Sequence, residues 1–468
     1  MAIALGGLWA LLASSDPPPT KGASSLSPSR SPTPGASSGH DLRVRVVVRR
    51  VQGHAVDGRI RPRQLAGPAA AVAETMSELY SIGFVDPAKW GGGRFPELPG
   101  VFAASAWGRA RDDLERLTLG RTARSLDAVR PKPARLDVEF VTDTRGRPAV
   151  AFASIRFEGV GIAGDVEIPL RHEGEYTLRR MHGAWRIVAY DVRGRVPRPG
   201  EIRGRREDAV LWPRIPSDDP LFVLAIGSDA RRGRPVARAR ADSLHIVAVS
   251  PREGRASIVG IPRDSLVSIP GVGTAKINEA LYRGGPELMV RTVEELTGVR
   301  IDAYVLTGFE GFEQMVSEIG GIEARIPYPM SDPYSRAYFP QGPTRLSGRE
   351  ALAFSRDRHD APGGDFGRSL NQGLLMIAAF RELRDDLSRG PMGLVPWAVA
   401  GTRYLRTDLS LTDILDLLLS APAIDPDRIR NRVVSGHGAT IGGRSVVLLG
   451  ADAQATFRDL ARDAVLGG

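Results

Sequence analysis

The 468-residue sequence contains no cysteine, which excludes disulfide bonds, thiolate metal sites, a cysteine nucleophile and a lipid anchor on cysteine. It has no apolar run near the 20 residues that a membrane-spanning helix needs. Lysine is also scarce, so arginine supplies nearly all of the 63 basic side chains. Hydrophobic residues nevertheless make up 42% of the chain, and its length suffices for two or three domains with sizeable cores.

The formal net charge is +9, and it is unevenly distributed. Residues 1–216 carry a net charge of +10, whereas residues 217–468 carry −1. A basic chain suggests a nucleic-acid partner, but the sequence shows no dense basic run and no helix with clustered base-reading residues. We therefore expect no nucleic-acid partner, and a transcriptional regulator remains only a remote alternative.

Changes in composition divide the chain into segments. Residues 1–13 are almost all apolar and form the stub of a membrane anchor or signal, or else a frayed N-terminus. Residues 14–40 are rich in Ser and Pro and predict a disordered linker. Residues 41–195 predict a first domain, 196–219 a second linker and 220–468 a second domain with a C-terminal extension.

The first domain is predicted to have an α+β fold. A strand at 43–50 precedes helices at 68–81 and 101–126, and strands at 134–141, 149–157, 165–170, 175–180 and 183–191 follow. The closing hairpin, with Tyr176 and Trp185, resembles that of NTF2-like (or cystatin-like) domains, and both rings are expected in the core.

Residues 159–164 spell the dinucleotide-binding pattern GxGxxG. A dinucleotide site needs a helix directly after the glycines, because the helix N-terminus binds the pyrophosphate. Here the following residues alternate as in a strand, and Pro169 opposes a helix. The pattern therefore predicts a glycine-rich hairpin and no nucleotide site.

In the second domain, strand-like runs alternate with helical patterns. Strands are expected at 221–226, 243–249 and 257–261, and helices at 277–282, 286–296, 308–319, 348–355 and 368–387. A helix at 411–419 and a strand at 445–449 follow. This alternation predicts an α/β fold with three layers, α/β/α.

Arginine and aspartate gather where these elements begin or end. The groups are Asp229 with Arg231, Arg240 with Asp242, Arg263 with Asp264, Arg356 with Arg358, and Asp365 with Arg368 and Gln372. Ligands of open α/β sheets bind beyond the strand ends. Guanidinium groups bind phosphate oxygens in pairs, and carboxylates bind Mg²⁺. The arrangement predicts phosphoryl transfer, in which the protein mainly positions groups and stabilises charge.

Residues 221–386 resemble the LytR-CpsA-Psr family. The resemblance is carried, in order, by LFVLAIGSDAR, RADSLHIVAVS, SIVGIPRDSLVSIP, KINEALYRGG, LSGREALAFSRDR and GGDFGRSLNQ. It implies an enzyme anchored by its N-terminus at the extracytoplasmic face of the cell membrane. Such a phosphotransferase moves a glycopolymer from a polyprenyl-pyrophosphate carrier to peptidoglycan, forms a phosphodiester, and holds the lipid tail in an apolar tunnel.

The resemblance also implies roles for individual residues. Asp229 and Asp242 correspond to ligands of Mg²⁺ (or Mn²⁺). Pyrophosphate binding falls to Arg231, Arg240, Arg263, Arg356, Arg358, Arg368 and Gln372, and catalysis to Arg263, Arg356, Arg358 and Asp365. Asp365 either orients an arginine or draws the proton from the acceptor hydroxyl, and Asp264 supports Arg263.

The sequence departs from the family pattern at two positions, where Asn371 and Gly373 replace the usual arginine and glutamine. The change removes one expected phosphate contact, which leaves a non-catalytic binder of polyprenyl pyrophosphate as the alternative function. His359 adjoins Arg358, and we expect it to be an exposed loop residue rather than part of the site.

Overall fold

The computed structural model describes residues 42–50, 62–142, 147–193, 220–231, 233–250, 253–419, 421 and 424–467. These residues form two compact units, one within 42–193 and one within 220–467. The predicted apolar stub (1–13) and both predicted linkers (14–40 and 196–219) lie outside the described residues. No helix of the described ranges is long and apolar enough to span a bilayer.

The first unit combines one sheet with three helices. Its strands are β1 (Leu42–Arg50), β2 (Ala128–Pro131), β3 (Ala134–Thr142), β4 (Pro148–Ala163), β5 (Val166–Met181) and β6 (Ala184–Arg193). Its helices are α1 (Pro62–Tyr80), α2 (Ala104–Asp112) and α3 (Leu114–Leu117). The strands lie in the order β1-β3-β4-β5-β6, with β2 paired to β4 and β1 parallel to β3. The NTF2/cystatin-like identity of this unit stays a prediction.

The predicted single helix at 101–126 is wrong, because the segment is divided into α2, α3 and a 3-10 helix at Gly120–Ser125. Thr118 is extended, and its hydroxyl donates to Leu114 O and accepts from Gly120 N. Such local side-chain bonds compete with the helical backbone. Elsewhere the two strands predicted at 165–170 and 175–180 are one continuous strand, β5.

The glycine pattern at 159–164 forms a hairpin, as predicted. Gly159 and Gly161 lie within β4, and β5 starts two residues after Gly164. Gly164 has a φ of +55°, a conformation that side chains with a Cβ rarely adopt. No helix follows the pattern, so it has no dinucleotide-binding geometry.

The described part of the second unit is built on a mixed six-stranded sheet and four two-stranded sheets. Its strands are β7 (Leu221–Ser228), β8 (Ala241–Ser250), β9 (Arg255–Gly260), β10 (Leu266–Ile269), β11 (Gly273–Lys276), β12 (Ala303–Gly308), β13 (Ile322–Ile326), β14 (Met330–Asp332), β15 (Ala337–Phe339), β16 (Gly342–Leu346), β17 (Arg406–Thr407), β18 (Ile429–Val433), β19 (Gly436–Ile441) and β20 (Arg444–Leu449). The sheet order is β17-β12-β7-β8-β9-β18, with β7 parallel to β12 and antiparallel to β8. The first six residues of β7 are all buried, as a central strand requires.

Helices cover both faces of this sheet. They are α4 (Glu279–Thr297), α5 (Phe309–Glu318), α6 (Gly348–Arg356), α7 (Asp365–Ser388), α8 (Leu394–Tyr404), α9 (Leu411–Leu419) and α10 (Ala451–Asp463). On one face, α4 and α10 share a core with Leu224 and Ile246 of the sheet. On the other, α7 packs against β8, β9 and β18. The α/β fold with three layers is thus confirmed.

One helix carries a break that its sequence predicted. Within α4, Gly285 has a φ of +75°, and Pro286 follows it. A proline disfavours helical backbone at the preceding residue, and glycine tolerates the left-handed region. The two helices predicted at 277–282 and 286–296 are therefore two helical segments of α4, separated by the non-helical backbone of Gly285.

Candidate functional site

Two predicted aspartates lie where the paired strands β7 and β8 meet the loop between them, Asp229 directly after β7 and Asp242 at the start of β8. The register of this strand pair shifts between Gly227 and Ser228. A Cβ on Gly227 would lie 2.8 Å from Ser243 Cβ, so the close approach of the strands requires glycine. Asp229 Oδ1 accepts a hydrogen bond of 2.9 Å from Arg240 N, which holds the loop between the strands. Asp242 stands on the β8 side and faces a cavity.

Arg263 and Arg368, called the inner arginines below, lie among carboxylates. Arg263 Nη1 donates to Asp242 Oδ1 at 2.5 Å, and its Nε lies 3.7 Å from Asp365 Oδ2. Asp264 Oδ2 is 3.9 Å from the same Nε. Burial alone would lower the pKa of Arg263, but these three carboxylates together raise it. Arg263 is therefore held charged and fixed in direction.

Arg368 lies in the first turn of α7, with only 9% of its side chain exposed. Its Nη2 is 3.3 Å from Asp365 Oδ1. Burial lowers the pKa of Arg368, and the charges of Asp365 and Asp242 oppose that shift only in part. Asp365 thus faces both inner arginines, one with each carboxylate oxygen.

Two polar atoms within this cluster are buried without a hydrogen-bond partner: Arg263 Nε and Asp365 Oδ1. A buried polar atom left without a partner costs about 1–3 kcal/mol. Most such atoms in folded proteins are therefore bonded, and exceptions occur at sites that await a ligand. Arg263 lines the cavity, so its Nε is the donor of this cluster that suits a phosphate oxygen.

Arg356 and Arg358, called the outer arginines below, end α6 and begin the loop after it. The helix starts at a capping box formed by Ser347 and Glu350, which fixes its direction. The Arg356 guanidinium carbon lies 4.9 Å from the centre of the Phe309 ring. Both arginines are exposed, and no carboxylate of the described chain lies within ion-pair distance of either.

A cavity of about 530 Å³ connects these groups. Both inner and both outer arginines line it. Its other polar lining residues include Ser228, Asp242, Ser243, Asp332, Tyr334, His359 and Gln372. Its apolar lining residues include Ile226, Phe309, Phe312, Leu352 and Leu375. The cavity thus offers concentrated positive charge beside apolar surface, which suits an amphiphilic anion.

His245 links the sheet to α7 beneath the cavity. Its Nε2 lies 3.0 Å from Ser369 O, and because a carbonyl only accepts, Nε2 carries the proton. Nδ1 then accepts from the Ser243 hydroxyl at 3.2 Å. Burial lowers the pKa of His245 to about 4, so the ring is neutral at physiological pH. This link fixes the cavity-lining Ser243 and the first turn of α7 relative to each other.

A family model described as the LytR_cpsA_psr family matches residues 202–462, more than half of the chain. The chain belongs to the LytR-CpsA-Psr family. The TagU protein of Bacillus mycoides is 31% identical over 216 residues, or 46% of this chain and 69% of that protein. TagU of Oceanobacillus iheyensis is 33% identical over 232 residues, or 48% of this chain and 70% of that protein. Both relatives bear the name polyisoprenyl-teichoic acid–peptidoglycan teichoic acid transferase.

Two solved structures are also similar to this LytR-CpsA-Psr protein. B. subtilis TagV is 26% identical, with a TM-score of 0.45. The match covers 53% of this chain and 98% of the TagV chain. TagT bound to LI-WTA has the same identity and TM-score. This match covers 54% of this chain and 93% of the TagT chain.

The predicted site residues of this family member fall into three groups. Six line the cavity: Asp242, Arg263, Arg356, Arg358, Arg368 and Gln372. Asp365 is not among the lining residues but contacts the two inner arginines. Asp229, Arg231 and Arg240 are not among the lining residues either, and Arg231 and Arg240 are exposed. Gln372 Nε2 donates to Ser355 O at 3.0 Å, so this amide also joins α7 to α6.

Sequence reasoning missed the hairpin formed by β14 and β15. Asp332 and Tyr334 lie at its turn and line the cavity, although about 90 residues separate them from Asp242. His359 is 44% exposed, as expected of a loop residue, yet it lines the cavity too. Its position beside Arg358 was the only sequence signal for this part of the site.

The donor set is compatible with the magnesium ion that the family resemblance implies. No cluster of three or more His, Asp or Glu side chains in the described ranges forms a complete metal cage. Mg²⁺ commonly takes only one or two protein carboxylates and completes its shell with substrate phosphates and water. Asp242 lines the cavity, whereas Asp229 follows β7 outside the lining and accepts a hydrogen bond from Arg240 N, so Asp242 is the carboxylate that fits that pattern at the cavity.

Asn371 and Gly373, the departures from the family pattern, are not among the residues that line the cavity. Asn371 is 1% exposed, and its Nδ2 donates to the Tyr328 hydroxyl at 2.6 Å. Gly373 packs against Asn431, whose Oδ1 would lie 2.0 Å from a Cβ at that position. Both positions therefore serve the packing of α7.

Proposed function

We propose that this LytR-CpsA-Psr protein is a phosphotransferase that moves a glycopolymer from a polyprenyl-pyrophosphate carrier to peptidoglycan, forming a phosphodiester. The observation that carries the proposal is the convergence of Arg263, Arg356, Arg358 and Arg368 on one cavity with apolar lining residues. A polyprenyl pyrophosphate has both matching parts, a polyanion and a hydrocarbon chain. The names of the TagU relatives support the same reaction class.

In the proposed reaction the inner and outer arginines have different roles. The inner arginines are positioned by Asp242 and Asp365 and meet the pyrophosphate in a fixed geometry. The outer arginines add charge-assisted hydrogen bonds to phosphate oxygens. As the bridging P–O bond breaks, negative charge develops on the departing polyprenyl phosphate, and arginines aimed at that charge lower the barrier.

We propose Asp242 and Asp229 as the protein ligands of a Mg²⁺ (or Mn²⁺) ion. When bound, the ion neutralises charge on the phosphates. A chelator should abolish transfer, and added Mg²⁺ should restore it. Full activity in the chelated protein would contradict a metal requirement.

We propose the extracytoplasmic face of the membrane as the place of action, with N-terminal anchoring. The support is chemical, since the carrier is a membrane lipid and the acceptor is the cell wall. The apolar lining residues Phe309, Phe312 and Leu375 suit the part of the carrier nearest the pyrophosphate.

The decisive experiment incubates the purified full chain with a polyprenyl-pyrophosphate-linked oligosaccharide, a peptidoglycan fragment and Mg²⁺. Release of polyprenyl monophosphate and formation of the glycan phosphodiester are measured together. Arg356→Ala should lower transfer about 100-fold, the typical cost of one charge-stabilising donor. Arg349→Ala is the matched control, since Arg349 lies on the same helix with 86% of its side chain exposed.

Binding of the pyrophosphate without turnover would contradict the enzyme assignment and favour a scaffold that holds the lipid carrier. Equal transfer by the wild-type protein and Arg356→Ala would contradict the role of the outer arginines.

A further inference from the structure

The loop after α6 and the hairpin of β14 and β15 bring a histidine and a buried aspartate together at the cavity. His359 Nδ1 lies 3.2 Å from Asp332 Oδ2. Asp332 is 1% exposed, whereas 44% of the His359 side chain is exposed. The aspartate is thus part of the protein framework, and the histidine is the member of the pair that a ligand can reach.

The protonation of this pair follows from its contacts. Burial alone would raise the pKa of Asp332, but hydrogen bonds from Tyr334 N, the His359 ring and Ser335 outweigh burial and lower it to about 2. Asp332 is therefore an ionised carboxylate, which only accepts hydrogen bonds. His359 Nδ1 must carry the proton, so Nε2 of the neutral ring has a free lone pair. In the described chain, Nε2 has no hydrogen-bond partner.

The surroundings fix the orientation of the His359 ring. The Tyr334 ring packs against it in a tilted arrangement, with 4.7 Å between the ring centres and 35° between the planes. The His359 backbone N–H donates to Asp357 Oδ1 at 3.2 Å, which ties the loop to the end of α6. The charged or titratable groups around the ring are Asp332 and Tyr334 on the hairpin, Asp357, Arg358 and Asp360 on its own loop, and Arg356 and Arg368 of the cavity lining.

We propose that His359 is the general base that takes the proton from the acceptor hydroxyl, with Asp332 as its positioning residue. This inference rests on the phosphotransferase function proposed above. Asp365, the other candidate for proton removal, faces Arg263 with one oxygen and Arg368 with the other, and it does not line the cavity. Its contacts assign it the positioning of the inner arginines. His359 has the free lone pair and the solvent access that a large acceptor needs.

In the proposed step, the acceptor oxygen forms a bond to the phosphorus that carries the glycan. The bridging P–O bond to the other phosphorus breaks, and polyprenyl monophosphate leaves with the electron pair. The hydroxyl proton passes to His359 Nε2, and Asp332 stabilises the resulting imidazolium. Solvent then removes the proton. This arrangement of a substrate hydroxyl, a histidine and an orienting carboxylate follows the logic of other activated nucleophiles.

The test measures binding and turnover separately on the full chain. Binding of farnesyl pyrophosphate is followed by calorimetry, and transfer by the assay above. His359→Gln should bind farnesyl pyrophosphate within about twofold of wild type and lose about 100-fold in kcat, in the range for a general base. The acid limb of the wild-type pH profile of kcat/KM should disappear, and imidazole should partly restore transfer by His359→Ala.

Two further variants separate a chemical role from a structural one. Asp332→Asn should also lower kcat, because an amide that donates to Nδ1 would move the ring proton to Nε2 and remove the lone pair. His437→Gln is the matched control, since His437 is exposed on β19 and does not line the cavity. It should match wild type.

The outcomes distinguish the two proposals. If wild type transfers and His359→Gln keeps its rate and its acid limb, the general-base proposal is overturned while the transferase stands. If wild type binds farnesyl pyrophosphate and transfers nothing, the transferase fails, and the general base fails with it.

Discussion

The inner and outer arginines are the same residue type in one cavity, yet their surroundings differ. Arg263 is 22% exposed and lies within 3.9 Å of the carboxylates of Asp242, Asp264 and Asp365. Arg356 and Arg358 are exposed, and no described carboxylate pairs with them. The inner arginines therefore have their positions set and their charge balanced by the protein, whereas the outer ones keep their full charge for a ligand.

This difference lets the cavity combine a fixed side-chain geometry with affinity for phosphate. Removing one partner from a buried ion pair leaves the other charge uncompensated, which is costly, so the inner cluster holds its geometry. Exposed cations contribute little to stability, and their charge remains available to phosphate oxygens. The inner group thus acts as framework and contact at once, and the outer group as contact alone.

The largest expected effect comes from breaking the inner group. Arg263→Ala removes the ion-pair partner of Asp242, whereas Asp264 keeps Lys276 at 3.0 Å and Asp365 keeps Arg368 at 3.3 Å. Because the Asp242 carboxylate is left uncompensated, we expect a loss of about 3 kcal/mol in the free energy of unfolding. Transfer should fall below detection. Urea unfolding of the second unit measures the stability. Arg263→Lys keeps the charge, so it should recover most of the stability but little transfer, because lysine lacks the planar fork. A fully stable Arg263→Ala would contradict the framework role.

The outer group should show the opposite pattern. Arg358→Ala should change the free energy of unfolding by less than about 0.5 kcal/mol, as is usual for exposed positions. It should lower kcat/KM about 100-fold through the lost phosphate contact. Steady-state kinetics and urea unfolding of the same preparation test both halves. A marked loss of stability with unchanged kinetics would contradict the proposal that the outer arginines serve phosphate binding rather than stability.

Acid should weaken the inner region through His245. The folded protein holds this ring neutral, with a pKa near 4, whereas the unfolded chain takes up a proton near pH 6.5. The contribution to stability is therefore complete above about pH 6.5 and is lost as the pH falls toward 4. Between pH 7 and pH 5 we expect a loss of about 2 kcal/mol. Hydrogen exchange at β8 and α7 should report it, and the loss should be smaller in His245→Gln.

The smallest expected effect lies on α7, away from the arginines. Gly373→Ala should cost about 1 kcal/mol, because its Cβ meets Asn431 and the neighbouring side chain must shift. A double-mutant cycle with Asn431→Ala should recover part of that loss. Turnover per folded molecule should match wild type. A large fall in turnover with stability intact would mean that this part of α7 serves the chemistry after all.

Much of the second unit was predictable from its sequence. Burial explains the apolar runs of β7, β8 and β9 and the helical patterns of α4 to α7. The break at Gly285 also follows from the local sequence, because Pro286 comes next. In the first unit, the segment at 101–126 was mispredicted because the hydroxyl of Thr118 bonds to nearby backbone groups. The spacing of apolar residues carries no information about hydrogen bonds between a side chain and the nearby backbone.

The candidate site was predictable where chemistry and chain order coincide. Residues at strand ends and at the start of α7 share one edge of the sheet, so Asp242, Arg263 and Arg368 could be grouped in advance. The contribution of Asp332 and Tyr334 could not, because a short hairpin of ordinary composition reaches the cavity only through the packing of distant elements.

By itself the sequence determined the inventory of this protein: no thiol chemistry, an arginine-rich charge set, a layered α/β unit and a family membership carried by ordered motifs. Only the tertiary structure decided how similar residues differ. Whether an arginine is balanced by carboxylates or left free, and whether a histidine is a loop residue or faces a buried aspartate, depends on contacts between segments far apart in the chain. An ion pair forms only when its charged atoms lie within about 4 Å of each other, and sequence separation does not encode that distance.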